Sequence, residues 1–510
     1  MRWQAYWRVV EPTKSAAQVD AEAYLLYIDL GSDVYWRASC LRFQRWMLFL
    51  AAFVSQICCG SLYAYSLLIK PLATQLRATD EAVTLPYYVA YACVGVAAAL
   101  AGPSIERHGP RAGMCLGALL MAGGHLCAVL AIAYQRPFLL YGYGVLYGAG
   151  VGINYVTPIA PLQKWFPDLR GTAAGFALCG FGASGVVWGG VYQLLLRDVG
   201  VLSVFVVGGL AMTLLLLLCA LVLRTPPPAY RVHGLDMHGV EEFAGDSRRD
   251  GVCLVDFAKA HDYLGPELDE NERVYHERIQ HQTLRACVLS ADFAFLYATY
   301  MATFVFAIVY LPHLYDLYLL LASTSSEAES DALSFLLLAA ICNFLGRLVL
   351  PIASDIVIRI ASLNPPFGRK LAFGVALLVQ SIVLGVLPSV LRQRDVDTFA
   401  HMMWITAFVL GGATGTLPSL CTDLYGVYHT GTMFGILLTG SSLVGLVGGY
   451  LFTRCFSAWK EESELDAYVA NAHWVHAVVL SGLLFVCLVR TNPVDRFQHG
   501  YTLCGHRLCR

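Results

Sequence analysis

Twelve stretches of the chain run almost unbroken in apolar residues, and the polar residues gather between them. The apolar runs cover about 45–69, 83–104, 112–134, 138–162, 171–196 and 200–223. After a polar stretch from Arg224 to Arg285, six more cover about 287–311, 332–354, 370–390, 399–421, 431–453 and 473–490. Each run is close to the ~20 residues that a helix needs to cross the hydrocarbon core of a bilayer. Lipid offers no hydrogen-bond partners, so the backbone of such a run has to pair within itself, and a helix does that. The pattern predicts an all-α integral membrane fold with twelve transmembrane helices in two six-helix bundles. The expected divisions are a tail (1–44), a first bundle (45–223), a central loop (224–286), a second bundle (287–490) and a closing tail (491–510).

Composition agrees. Hydrophobic residues make up 57% and charged residues 14% of the 510, and mean hydropathy is +0.59, whereas a soluble domain carries about 25% charged residues. Lipid has to cover much of the surface. A net charge of −2 gives no reason to expect a nucleic-acid partner. The 16 cysteines are scattered, many in apolar runs (Cys58, Cys59, Cys93, Cys115, Cys127, Cys179), with no CxxC pair, so neither a disulfide nor a zinc framework is expected.

An even number of spans puts both tails on one side. The clusters Arg37/Arg42/Arg45, Arg107/Arg111 and Arg369/Lys370 fall on that side, and the positive-inside rule then makes both termini cytoplasmic. The acidic first tail (Glu11, Asp20, Glu22, Asp29, Asp33) matches no secretory or organelle leader. Which membrane holds the protein is left open. The pairs Gly148/Gly152, Gly171/Gly175, Gly411/Gly415 and Gly445/Gly449 repeat at helical spacing and predict close helix packing.

One charge stands out. Arg347 lies in the middle of the eighth apolar run, within Asn343-Phe-Leu-Gly346-Arg347-Leu-Val-Leu-Pro351. A guanidinium at mid-depth costs roughly 3 kcal/mol on insertion scales, so such residues face a wet cavity and bind an anion. The alternative is a helix-end arginine that snorkels to the interface. Asn154 and Asn343 could donate to a carboxylate or join helices. Trp404 and Phe408, four apart, share a helix face and could cover a small anion or pack as ordinary core. Asp292 and His125 are the titratable candidates for proton coupling, or else an end-cap acid and a packing histidine, which leaves the coupling open.

Several segments resemble the major facilitator superfamily. Gly102-Pro-Ser-Ile-Glu106-Arg107-His-Gly109-Pro-Arg111 is similar to that family's G-xxx-D/E-R-x-G-x-R loop, which latches one conformation. An echo follows the eighth run, with Gly346-Arg347, Ser354-Asp355 and Gly368-Arg369-Lys370, departing from the pattern in Pro351 and in the dozen residues after Asp355. Two copies of one loop fit the internal repeat of such carriers. The resemblance thus implies a latch of Gly102, Glu106, Arg107, Gly109, Arg111 and Asp355.

Gly152-Ile-Asn154-Tyr155-Val-Thr157-Pro158, Lys164-Trp-Phe-Pro-Asp168-Leu-Arg170-Gly171, Tyr63-Ala-Tyr65-Ser66 and Asp423-Leu-Tyr425-Gly426 resemble the oxalate:formate antiporter family, related to the monocarboxylate transporters. That resemblance implies that Arg347 grips a substrate carboxylate, for which a guanidinium fork is well shaped, and that Tyr65 and Tyr155 occupy cavity positions. Ser441 stands where oxalate-type members carry a lysine, Asn343 where monocarboxylate transporters carry an aspartate, and Tyr63 or Ala64 where those carry a lysine. One buried cation neutralises one carboxylate, and a second carboxylate would stay desolvated at a cost of several kcal/mol. The expectation is a secondary active or facilitative transporter of a small monocarboxylate (pyruvate, lactate or formate) working by alternating access. Its site would comprise Arg347, Tyr65, Tyr155, Asn154, Asn343, Trp404, Phe408 and Ser441.

The partners expected are that organic anion, a counter-anion or proton, and the bilayer, with the protein a monomer. No G-xxxx-G-K-[ST] run is present, and His276-Glu277-Arg-Ile-Gln280-His281 has one residue too many for the zinc-protease spacing. No enzyme activity, cofactor or metal is therefore expected. The alternatives are a carrier of another solute (sugar, amino acid or drug) and a non-transporting receptor on the same fold.

Overall fold

The computed structural model describes residues 6–7, 13–38, 41–239, 278–279, 282–322, 328–361, 363–459, 463–497, 501–503 and 506–509. The histidine-rich segment 276–281 lies largely outside them. Among the described residues, twelve helices are long and apolar enough to cross a membrane. We label them α1 (Trp46–Leu76), α2 (Asp80–His108), α3 (Pro110–Ala133), α4 (Pro137–Trp165), α5 (Pro167–Asp198), α6 (Val201–Val222), α7 (Ala291–Leu321), α8 (Ala328–Ile360), α9 (Pro365–Gln393), α10 (Val396–Tyr425), α11 (Thr430–Trp459) and α12 (Glu464–Leu488).

Most run past the apolar stretches that predicted them, because polar residues cap their starts. Thr79, Ser290, Asp395 and Ser463 each accept a hydrogen bond from a backbone N–H three residues on, opening α2, α7, α10 and α12. Lipid needs apolar side chains only across its core, so the capped turns project beyond it.

The helices form two six-helix halves, α1–α6 and α7–α12. They meet along two seams, α2 against α11 and α5 against α8. In α4 and α10, 83% of the membrane-spanning stretch is buried, against 22% in α8. Helices α4 and α10 therefore lie centrally, and α8 turns most of its surface to the lipid side. Three of the glycine pairs mark close approaches: Gly148/Gly152 against α2, Gly171/Gly175 against α8, and Gly411/Gly415 against α8, while Gly449 has open space around it.

Both tails and the start of the central loop pack at one end of the bundle, here called the tail face. Arg224, just past α6, donates to the backbone carbonyls of Glu22 (2.6 Å), Tyr24 (2.8 Å) and Leu25 (2.9 Å). Burial pushes that guanidinium down to about 10. Outside the membrane helices the described chain adds three two-stranded ribbons: Tyr27–Asp29 with Tyr35–Arg37, Arg231–Val232 with Leu235–Asp236, and Tyr501–Leu503 with His506–Cys509. These short strands escape a reading based on apolar runs because each is only two to four residues long.

Candidate functional site

Arg347 sits in α8 where that helix faces α5 of the other half, and it is only 5% exposed. Its Nε donates to Asn343 Oδ1 at 2.9 Å, one turn earlier. Its Nη1 donates across the seam to the Leu178 carbonyl at 3.3 Å. The guanidinium lies 5.4 Å from the centre of the Phe181 ring, a cation–π contact, and within electrostatic reach of the Tyr155 phenol. No described carboxylate forms an ion pair with it. A buried guanidinium is thus held by neutral groups at the boundary of the two halves, and it does not snorkel.

The backbone around Arg347 is built for close approach. Pro351 has no N–H to give the Arg347 carbonyl one turn back. That carbonyl instead faces two glycines, Gly175 on α5 and Gly415 on α10. A Cβ added to either would lie 2.5 or 2.6 Å from the oxygen. Only a residue without a side chain fits at these points, so glycine on both flanks lets α8 be gripped at the level of its arginine, with Cα–H groups turned to the oxygen.

The other candidates divide. Tyr155, 8% exposed, joins Arg347. Its ring stands edge-on to Phe181 (5.0 Å, 84°) and stacks on Phe434 of the opposite half (5.9 Å, 25°). Asn343 also joins, as the residue that orients the arginine, and its Nδ2 donates to the Ala407 carbonyl of α10 at 3.1 Å. Ser441 lies on α11 beside Tyr300 of α7, its Oγ donating to the Leu438 carbonyl at 2.7 Å. Phe408 is half-buried, with its carbonyl against Gly346.

Three candidates are not brought to Arg347. Tyr65 donates to the Val83 carbonyl at 2.9 Å and stacks between Tyr87 and Tyr143 inside the first half. Asn154 presses on Gly117 of α3, its amide placed to donate to the Met114 carbonyl and to accept from Ala118 N, both at 3.2 Å. Trp404 gives its indole N–H to the Phe335 carbonyl at 3.1 Å, joining α10 to α8 within the second half. Asp292 is bound by the Arg490 guanidinium (2.9 Å) at the tail face, and His125 packs edge-on to Tyr147.

At the tail face the halves are clamped by charge. Glu106, at the end of α2, pairs with Lys164 (2.6 Å) and accepts from Gly431 N (3.2 Å) at the start of α11. Asp355, near the end of α8, accepts from Gly171 N (3.1 Å) and Thr172 N (2.7 Å) at the start of α5. Each half therefore sets the acid of its second helix on the N-terminus of the other half's fifth helix, where backbone N–H groups and the helix dipole favour negative charge. Between them, Asp423 takes Arg170 (2.7 Å) and Arg369 (2.8 Å), and Arg369 also reaches Asp355 (2.7 Å). The loop copy that departs further from its sequence pattern makes the denser clamp.

Gly102 permits the close approach of α2 to Thr432, and Gly109 turns between α2 and α3 at φ +83°. Arg107 and Arg111 face the first tail instead, over the rings of Tyr6 (5.7 Å) and Tyr27 (3.8 Å).

Sequence reasoning passed over Lys164, Arg170, Arg369 and Asp423 as members of this charge cluster. Their signal was present, as charges flanking apolar runs, but their partners lie as far as 253 positions away. It also passed over Tyr297 and Tyr300, which read as members of an apolar run.

Comparison with known proteins follows this geometry. The sequence model of the Major Facilitator Superfamily matches residues 46–449. The chain is 23% identical over 465 residues to the oxalate:formate antiporter of Oxalobacter formigenes, covering 89% of this chain and 97% of that one. It is 24% identical over 397 residues to the MFS-type transporter YhjX of Escherichia coli (strain K12), covering 78% and 84%. Among solved structures, the proton:xylose symporter XylE superposes with a TM-score of 0.62 at 14% identity, over 86% of this chain and 94% of that one, which bears on the fold alone.

Proposed function

The chain belongs to the Major Facilitator Superfamily, a transporter family whose members move small solutes across membranes, and on that premise we propose that it carries a small monocarboxylate anion by alternating access, with Arg347 as the anchor. The observation that carries this reading is the buried guanidinium between the halves with only neutral partners. A charge in that position is stabilised when an anion occupies the site. The neighbours Tyr155 and Asn343 supply polar contacts but no second cation, so one carboxylate is neutralised and a dicarboxylate keeps one charge bare. The relative named for oxalate and formate exchange supports small carboxylates as the class.

Every inter-half hydrogen bond and ion pair among the described residues falls between the tail face and the level of Arg347 and the Ser442–Tyr91 bond. The gate at the tail face is shut, and Glu106 and Asp355 act as its latch. With both tails in the cytoplasm, the site loads from the opposite side, and the latch opens to release the anion inward.

Proteoliposomes test this with labelled pyruvate, lactate, formate and oxalate, with and without a pH gradient and with or without a trapped counter-anion. Monocarboxylate uptake is expected to exceed oxalate uptake at least tenfold. Exchange is expected to stimulate it more than a pH gradient does, since no described carboxylate pairs with Arg347 to relay a proton. Equal uptake of oxalate and pyruvate overturns the single-charge reading.

A further inference from the structure

The first tail contains a short ribbon whose residues alternate in polarity. Tyr27 pairs with Arg37, Ile28 with Trp36 and Asp29 with Tyr35, and Leu30 N donates to the Val34 carbonyl at 3.0 Å. Successive side chains of a strand point to opposite faces. One face therefore carries Tyr27, Asp29, Tyr35 and Arg37, and the other Ile28, Leu30, Val34 and Trp36.

The polar face is turned to the protein. The Tyr27 ring is flanked by the guanidinium groups of Arg111 (3.8 Å) and Arg224 (5.4 Å), its hydroxyl donates to Glu22 at 3.2 Å, and the Tyr35 ring stands edge-on to it at 6.4 Å. Arg37 pairs with Asp20 and lies over the Tyr24 ring. The apolar face is turned away, and its four side chains are 52–64% exposed. Antiparallel strands ordinarily pack their apolar side on a core and leave the polar side out, and the other two ribbons keep Val232, Leu235 and Leu503 half-buried. The turn that presents the apolar face is pinned: Gly31 N donates to Asp29 Oδ1 at 2.8 Å and Val34 N to the Gly31 carbonyl at 3.1 Å.

The ribbon is rooted at the edge of the membrane. Arg111, at the start of α3, donates to the Tyr27 carbonyl (3.4 Å) and to the carbonyls of Leu221 (2.6 Å) and Leu223 (3.2 Å) at the end of α6. Leu218 and Leu221 in the last turns of α6 are exposed apolar residues, part of the surface that lipid covers. A strand rises about 3.3 Å per residue, so Leu30 lies within about 10 Å of Tyr27. The apolar face thus continues the lipid-facing surface of α6 at the level where hydrocarbon gives way to headgroups. Trp36, and Trp46 at the start of α1, are both exposed at this end, and tryptophan is enriched at that boundary. Asp29 and Asp33 lie at the turn, so apolar burial and not attraction to an anionic surface would hold the ribbon there.

We propose that this ribbon is a membrane-docking element: its face of Ile28, Leu30, Val34 and Trp36 lies in the headgroup–acyl boundary of the leaflet at the tail face. Binding of this kind scales with the apolar area buried. The same contact tethers the start of the central loop, because Arg224 holds the carbonyls of Glu22, Tyr24 and Leu25. The proposal is independent of the solute carried.

The test is photocrosslinking of the full chain in phosphatidylcholine nanodiscs, with Leu30→p-benzoylphenylalanine compared with Asp29→p-benzoylphenylalanine, its neighbour on the opposite face. Both side chains are exposed, so neither substitution disturbs packing, and thermal stability in detergent is expected to match the parent chain. Lipid adducts, read by mass spectrometry of the peptides, are expected about fivefold more often at position 30 than at position 29, and to hold at that level when phosphatidylserine is added. Equal lipid yields at the two positions overturn the proposal. So does capture at position 30 of a second copy (a covalent dimer) or of the chain's own central loop in place of lipid, and so does a lipid yield that requires phosphatidylserine.

Discussion

Arg347 and Arg369 occupy neighbouring helices of one half and are buried alike, at 5% and 3% exposure. Arg369 is closed in by Asp423 (2.8 Å), Asp355 (2.7 Å) and Ser354 (2.8 Å), so its charge is balanced within the protein. Arg347 meets an amide oxygen, a carbonyl and an aromatic ring. Equal burial with unequal pairing separates two uses of one side chain. A neutralised guanidinium holds helices together, while one surrounded by dipoles alone is available to an anion from outside. Burial by itself would have classed them together; the partners distinguish them.

The comparison can be broken most forcefully at the gate. Asp423→Asn takes a carboxylate from Arg369 and Arg170 at once, leaving Arg369 with Asp355 and giving Arg170, bonded then to the Met237 carbonyl, a setting closer to that of Arg347. Removing one member of a buried ion pair costs about 3–5 kcal/mol, so the gate-closed state should lose that much. Thermal unfolding in detergent would report the loss. Maleimide labelling of Cys421, which is fully buried beside the network, should rise as the gate opens.

A smaller effect is expected at Gly175→Ala, which pushes a methyl to 2.5 Å from the Arg347 carbonyl. Overpacking of this kind costs about 1–3 kcal/mol. It should weaken the seam between α5 and α8 and slow uptake without abolishing anion binding, as separate binding and flux assays would show.

The smallest effect is that of pH on the gate. The ribbon that follows α6 brings His238 onto the Tyr428 ring at 5.1 Å. Burial first, then the positive charges of Arg170 and Lys164, push His238 down to about 4 against the pull of Asp236. Its imidazole is neutral while the ribbon is seated, and the released form takes up a proton first. Closure is therefore fully retained above about 6.5, the ordinary value, and weakens as pH falls toward about 4. Burial also lowers His429 in the same direction. Cys421 labelling should rise over that window, and His238→Gln should flatten part of the rise.

The twelve spans were legible in the sequence because a bilayer imposes one length and one polarity on each. The place of Arg347 within the eighth helix was legible for the same reason. Helix phase was not. Asn154 and Tyr155 are adjacent, yet one packs on Gly117 and the other stands beside Arg347, since each residue turns the helix by about 100° and hydropathy sets no absolute rotation. Tyr65 and Trp404 were misplaced toward the site for this reason. The gate was half visible: Glu106 and Asp355 carried a loop pattern, but Asp423 pairs with Arg170 only because the chain folds into two halves that meet there.

The central claim is that Arg347 anchors a carboxylate. Labelled pyruvate uptake by Arg347→Ala, set against Arg454→Ala, tests it most directly, because Arg454 is exposed near the far end of α11 with its Nε bonded to Tyr450 (3.0 Å). The account predicts uptake reduced at least a hundredfold in Arg347→Ala, with thermal stability kept, and uptake close to that of the parent chain in Arg454→Ala. Pyruvate carried at the parental rate by Arg347→Ala would contradict it.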